Sequence, residues 1–114
     1  MDRLLLTTDR DPRSDARVAE LVRVGAGVGA WKKIPVDIFL RGRAALALDE
    51  FADELADGNL LQDYLSGIRE HGGEIYVDAG NPFVSEIQSP YTFQQLDDAG
   101  VSHLVQQARY SINL

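Results

Sequence analysis

The stretch LLQDYLSGIREHGGEIYVDAGN, residues 60–81, decides the fold class. Its first part repeats apolar residues at helical spacing, with Leu61, Tyr64, Leu65 and Ile68 on one face. Gly72 and Gly73 stop that helix. A strand over Glu74–Val77 follows and passes at once into the polar run Asp78-Ala79-Gly80-Asn81. A helix that turns through glycines into a short apolar strand is half of a strand–helix–strand unit.

The same grammar extends in both directions. Upstream, Leu4–Leu6 followed by Thr7 and Thr8 reads as a short buried strand. Asp11 suits a helix N-cap with Pro12 at the first helical position. Val18, Leu21, Val22, Gly25 and Val28 then recur at helical spacing. Val36–Leu40 is a second strand, apolar throughout except for Asp37, as expected of a strand covered on both faces. Ala44–Ala56 reads as a helix ended by Asp57-Gly58-Asn59. Downstream, residues 81–90 read as irregular, Thr92–Ala99 and Val101–Arg109 as helical, and Tyr110–Leu114 as a last strand. The expected fold is therefore α/β: a single domain over residues 1–114, with a mostly parallel sheet of about five strands and helices on both faces.

Composition narrows the function. The 114 residues are 45% hydrophobic, enough for one real core. A net charge of −7 repels phosphate backbones and argues against direct nucleic-acid binding. No apolar run is long enough for a signal peptide or a membrane helix, so a soluble cytoplasmic protein without membrane contact is the expectation. The chain has no cysteine, which removes disulfides, thiolate metal sites and a thiol nucleophile.

In open α/β sheets ligands bind beyond the carboxyl ends of the strands. Three polar strand ends qualify here: Thr7-Thr8-Asp9-Arg10, Arg41-Gly42-Arg43 and Asp78-Ala79-Gly80-Asn81. Thr7, Thr8, Asp9, Arg10, Arg41, Asp78, Ala79 and Asn81 are the candidate ligand-binding residues. If Arg10, Arg13, Arg41 and Arg43 gathered on this rim, it would attract a small anion.

Other motifs carry less. GAGVGA, residues 25–30, matches the spacing of a dinucleotide fingerprint but closes a helix, whereas the fingerprint opens one after a strand. Tight helix packing accounts for it. Asp49, Glu50, Asp53, Glu54 and Asp57 read as a solvated helix face or a surface for a basic partner. His71 and His103 do not form a ligand-spaced pair, and no serine sits in a nucleophile elbow. No metal, cofactor or catalytic residue is expected. Phe83, Tyr91 and Phe93 could serve an oligomer interface or the core.

The segments LLLTTDRDPRSDARVAELVRVGAGVG, VDIFLRGRAALAL, LLQDYLSGIREHGGEIYVDAGN and SHLVQQARYSINL, in this order and spacing, resemble the DsrE/DsrF-like family of small α/β proteins. The resemblance implies a flavodoxin-like three-layer sandwich and a homo-oligomer, a trimer or hexamer. Sulfur-relay members carry a persulfide on a cysteine just after the strand matching Glu74–Val77. Asp78-Ala79 stands there in this chain, and a carboxylate cannot accept and pass on sulfane sulfur. The resemblance thus implies a non-catalytic binding or assembly subunit with a protein partner, related to sulfur relay or redox. The alternative is a small-anion-binding enzyme or sensor that uses the strand-end rim.

Overall fold

A computed structural model describes residues 3–32, 34–49, 61–89 and 91–114. Its elements are β1 (Leu4–Thr8), α1 (Arg17–Lys32), β2 (Val36–Leu40), a 3-10 helix (Gly42–Leu48), α2 (Leu61–Glu70), β3 (Ile75–Asp78), a second 3-10 helix (Pro82–Glu86), β4 (Gln94–Leu96), α3 (Asp98–Gln107) and β5 (Tyr110–Asn113). The sheet order is β4-β3-β2-β1-β5 and every pairing is parallel. The chain steps from β1 through β4 in one direction, and the connection containing α3 then carries it back to the far edge. This is the three-layer α/β sandwich expected from the sequence.

Strand alternation divides the core in two. Leu4, Leu6, Val36, Ile38, Leu40, Ile75 and Val77 face one side, where they pack with Val18, Leu21 and Val22 of α1 and Leu61, Leu65 and Ile68 of α2. Leu5 and Phe39 face the other side and meet Leu104 of α3, with Tyr76, Leu96, Val101 and Ala108 around them. Among the described residues, one face therefore carries α1 and α2 and the other α3. The first cluster is much the larger. Truncating one of its buried leucines, such as Leu65, to alanine should cost about 2–5 kcal/mol.

GAGVGA lies inside α1, and its first glycine is a packing position. A Cβ at Gly25 would come within 3.1 Å of Leu6 and 3.3 Å of Ile38, so the missing side chain lets α1 settle closely on the sheet. The motif makes no strand-to-helix turn.

Several sequence expectations need correction. Asp11 does not cap α1. It organises a preceding turn, accepting from Arg13 N at 3.0 Å, while Asp15 accepts from Arg17 N at 2.9 Å where the helix begins. Residues 42–48 form a 3-10 helix where an α-helix over 44–56 was expected, and the remainder of that segment lies outside the described residues. The helix expected over Thr92–Ala99 gives way to strand β4, which is half-exposed or exposed throughout, so no apolar alternation advertised it. Asp97 then starts α3 by accepting from Gly100 N at 2.8 Å.

Candidate functional site

Asp37 stands alone in an otherwise apolar, fully buried strand. Only 2% exposed, it takes two hydrogen bonds from the Arg3 guanidinium, at 2.8 and 2.6 Å, and one from Glu74 N at 3.0 Å. Its hydrogen bond and charge raise the Arg3 pKa above the usual arginine value, against the opposing effect of burial. The arrangement ties the entry of β1 to β2 and to the start of β3. An open cleft of about 510 Å³ lies beside it, lined by Arg3, Gly72, Glu74, Tyr76 and Gln107. Burial, with Asp37 and Glu74 nearby, raises the Tyr76 pKa.

The carboxyl ends of β2 and β3 are joined by a different device. Asp78 Oδ1 accepts from Gly42 N at 3.0 Å and from Asn81 Nδ2 at 2.8 Å. The same Asn81 nitrogen donates to the Gly42 carbonyl at 3.0 Å, and Asn81 Oδ1 accepts from Phe83 N at 2.8 Å to cap the second 3-10 helix. Gly42 has φ +55, a left-handed conformation that a side chain would strain. Asp78 and Asn81 thus latch two strand-end turns to each other.

Next to this latch is an open cleft of about 470 Å³. Phe39, Leu96 and Val101 supply its apolar lining, Arg41 and Ala79 line it from the strand ends, and Asp78, Asp97 and Asp98 contribute carboxyl-bearing side chains. Arg41, Ala79, Asp97 and Asp98 are all exposed. The cleft can offer one guanidinium, three carboxylates and an apolar floor to a small polar ligand. Among the described residues, no group of three or more His, Asp or Glu side chains is placed to hold a metal ion.

The structure brings some of the sequence candidates together and separates the rest. Arg41, Asp78 and Ala79 line the cleft, with Asn81 buried just behind Asp78. Thr7 instead pairs with Asn113 across β1 and β5 at 2.9 Å. Thr8 is fully buried and accepts from Arg10 N at 3.2 Å, while Asp9 is exposed outside the cleft lining. Arg10 binds the Leu114 carbonyl at 3.0 Å and Asp15 at 3.2 Å. Arg13 is paired with Asp11, which also feels the charge of Arg43. Of the four rim arginines only Arg41 lines the cleft, so the guanidiniums do not converge there. Asp97 and Asp98 were missed as site residues because β4, which positions them, was not foreseen. Their signal was a carboxylate pair opening an apolar helix.

No protein-family model matches the chain, and no curated protein matches it either. Among solved structures, the crystal structure of the ychN protein from E. coli superposes on it with a TM-score of 0.82, covering 100% of both chains at 9% sequence identity. That likeness is one of fold. No helix among the described residues is long and apolar enough to cross a membrane.

Proposed function

We propose that this protein is a DsrE/DsrF-like binding or assembly subunit with no sulfur-transfer chemistry of its own, working as a homo-oligomer alongside a sulfur-relay or redox partner. The observation that carries this reading is the Asp78 latch. At the strand end where sulfur-relay relatives keep a cysteine, the chain places a carboxylate committed to Gly42 N and Asn81 Nδ2, followed by alanine. An acceptor engaged in holding two turns together has a structural task, and no thiol occurs in the sequence. Incubation with a cysteine desulfurase and cysteine should leave no transferable sulfur on the protein. Transferable sulfur on the chain would overturn the reading.

Arg41 and the apolar floor of the cleft support a second reading, the capture of a small polar ligand. Its anionic group would pair with Arg41, with Phe39, Leu96 and Val101 beneath the rest of the molecule. The three neighbouring carboxylates disfavour a bare anion and favour a ligand that also carries donors. A thermal-shift screen of phosphates, carboxylates and amino acids should find a stabiliser whose effect is lost in Arg41→Ala. A ligand at 100 times its Kd should stabilise by about 2.7 kcal/mol. A screen with no stabiliser would end this reading.

A further inference from the structure

The cleft beside the Asp37–Arg3 pair lies at the end of the sheet opposite the latch. Helix α3 runs along that face from the carboxyl rim, where Asp97 caps it, to the amino rim, where Gln107 ends it. Strand alternation sends Asp37 and Tyr76 to the same face as Leu5 and Phe39. The cleft, of about 510 Å³, is lined by Arg3, Gly72, Glu74, Tyr76 and Gln107. A smaller one of about 160 Å³ adjoins it. Tyr76 and Gln107 line both, and the smaller one adds an apolar wall from Leu96 and Leu104.

The charges of this cleft are already matched. Arg3 gives Nε and Nη2 to Asp37, and Nη2 also reaches the Gly72 carbonyl at 3.3 Å. Glu74 accepts from Arg69 at 2.6 Å. An entering anion meets a guanidinium engaged by one carboxylate, beside a second carboxylate and the negative end of the α3 dipole. An entering cation meets a carboxylate engaged by a guanidinium, with Arg3 close by. Neither finds a free countercharge to offset the water it loses. The groups left over are neutral. Among the described residues, the Tyr76 hydroxyl and the Gln107 amide have no hydrogen-bond partner. Burial, with Asp37 and Glu74 nearby, keeps Tyr76 protonated, so its hydroxyl can donate as well as accept. Gln107 offers a donor and an acceptor side by side, and the Tyr76 ring offers a flat apolar face.

We propose that this amino-end cleft binds an uncharged nitrogen heterocycle of the nucleobase type, as free base or nucleoside, stacked on Tyr76 and hydrogen-bonded by Gln107. A planar ring matches the aromatic face. Neighbouring donor and acceptor atoms on the ring edge match a side-chain amide, as when glutamine contacts N6 and N7 of adenine. The Tyr76 hydroxyl and the Glu74 carboxylate stand ready to accept from an exocyclic amine. A phosphate on the same ligand would face Glu74 and a protein of net charge −7, so the nucleoside is preferred to its nucleotide. The site is separate from the cleft at Arg41 and does not depend on the sulfur-relay reading.

Titration of the isotope-labelled full chain with adenosine, guanosine, cytidine and uridine, followed by amide NMR, tests it. At least one nucleoside should bind saturably and shift the backbone amides of Gly72, Glu74, Tyr76 and Gln107. The monophosphate of that nucleoside should bind at least about 10-fold more weakly. Gln107→Ala, at an exposed position, should weaken the nucleoside at least about 10-fold while leaving the circular dichroism and Tm unchanged. Tyr76→Leu, which keeps apolar bulk but removes the ring and hydroxyl, should weaken it by at least as much. Four results would each overturn the inference. They are no saturable shift with any nucleoside, shifts centred instead on Arg41, Ala79 and Asp98, a nucleotide that binds more tightly than its nucleoside, and an affinity unchanged in Gln107→Ala.

Discussion

Asp37 and Asp78 project from the same face of the sheet, yet they are satisfied in opposite ways. Asp37 sits at the amino end of β2, nearly sealed from solvent, and its charge is matched by Arg3. Asp78 sits at the carboxyl end of β3, half-buried, and is satisfied by a backbone amide and a side-chain amide. A buried carboxylate with a guanidinium partner closes a structure, because removing either partner strands a charge. A carboxylate held by neutral donors joins two turns without a countercharge, so losing it strands no charge. The two ends of the sheet differ in the donors that the fold supplies to one kind of side chain.

Mutation of the two aspartate sites should separate these roles. Arg3→Ala should have the largest effect, because it leaves Asp37 buried with Glu74 N as its remaining donor. Breaking a buried pair costs about 3–5 kcal/mol, and partial exposure of Arg3 should bring this one to the lower end, about 3 kcal/mol by urea denaturation. A loss below about 1 kcal/mol would place the pair with ordinary surface ion pairs. Asp78→Ala should cost less, about 1–2 kcal/mol, because Asn81 Nδ2 retains the Gly42 carbonyl and only the Gly42 amide loses its partner. Asp78→Asn, which retains an acceptor oxygen, should recover most of that loss. If Asn were as damaging as Ala, the negative charge would be structurally required and the contrast with Asp37 would fail.

The smallest effect belongs to the exposed turn at Asp11. The Arg13 side chain, helped by the Arg13 backbone amide and the charge of Arg43, lowers the Asp11 pKa to about 2 from 3.8. Because the folded value is the lower one, the stability it contributes is fully present above pH 3.8 and is lost as pH falls through about 2. The Tm difference between wild type and Asp11→Asn should therefore shrink across that window and stay constant above it. A difference unchanged at low pH would show that the Arg13 pairing contributes nothing to folding.

The legible parts of this fold are those whose side chains are buried. Strands β1 and β2 and the start of β3 stand out as short apolar runs because helices cover both their faces at the centre of the sheet. Strand β4 could not be read from Gln94-Gln95-Leu96, since an edge strand facing solvent needs no apolar pattern. Half of the cleft was hidden with it. Arg41, Asp78 and Ala79 followed from the rule that parallel strands end at a common rim, whereas Asp97 and Asp98 depend on where β4 stops. Arg10 lies outside the cleft lining for another reason. Its guanidinium is taken by Asp15 and by the carbonyl of Leu114, which only the return of β5 beside β1 brings within reach. Asp37 was visible as the lone polar residue of its strand, but its partner Arg3 is 34 positions away and pairing at that separation leaves no local signature.

The residues at the end of β3 decide whether this protein can carry sulfur. Intact-mass measurement after exposure to a cysteine desulfurase and cysteine, on wild type and on Ala79→Cys, tests it most directly. Ala79 is exposed and lines the cleft, so a thiol there is open to attack by a persulfide donor. The expected result is an unchanged mass for wild type and a reducible gain of one sulfur atom for Ala79→Cys. A sulfur adduct on wild type that can be handed to an acceptor thiol would contradict the reading of Asp78 as a latch in a protein without sulfur-transfer chemistry.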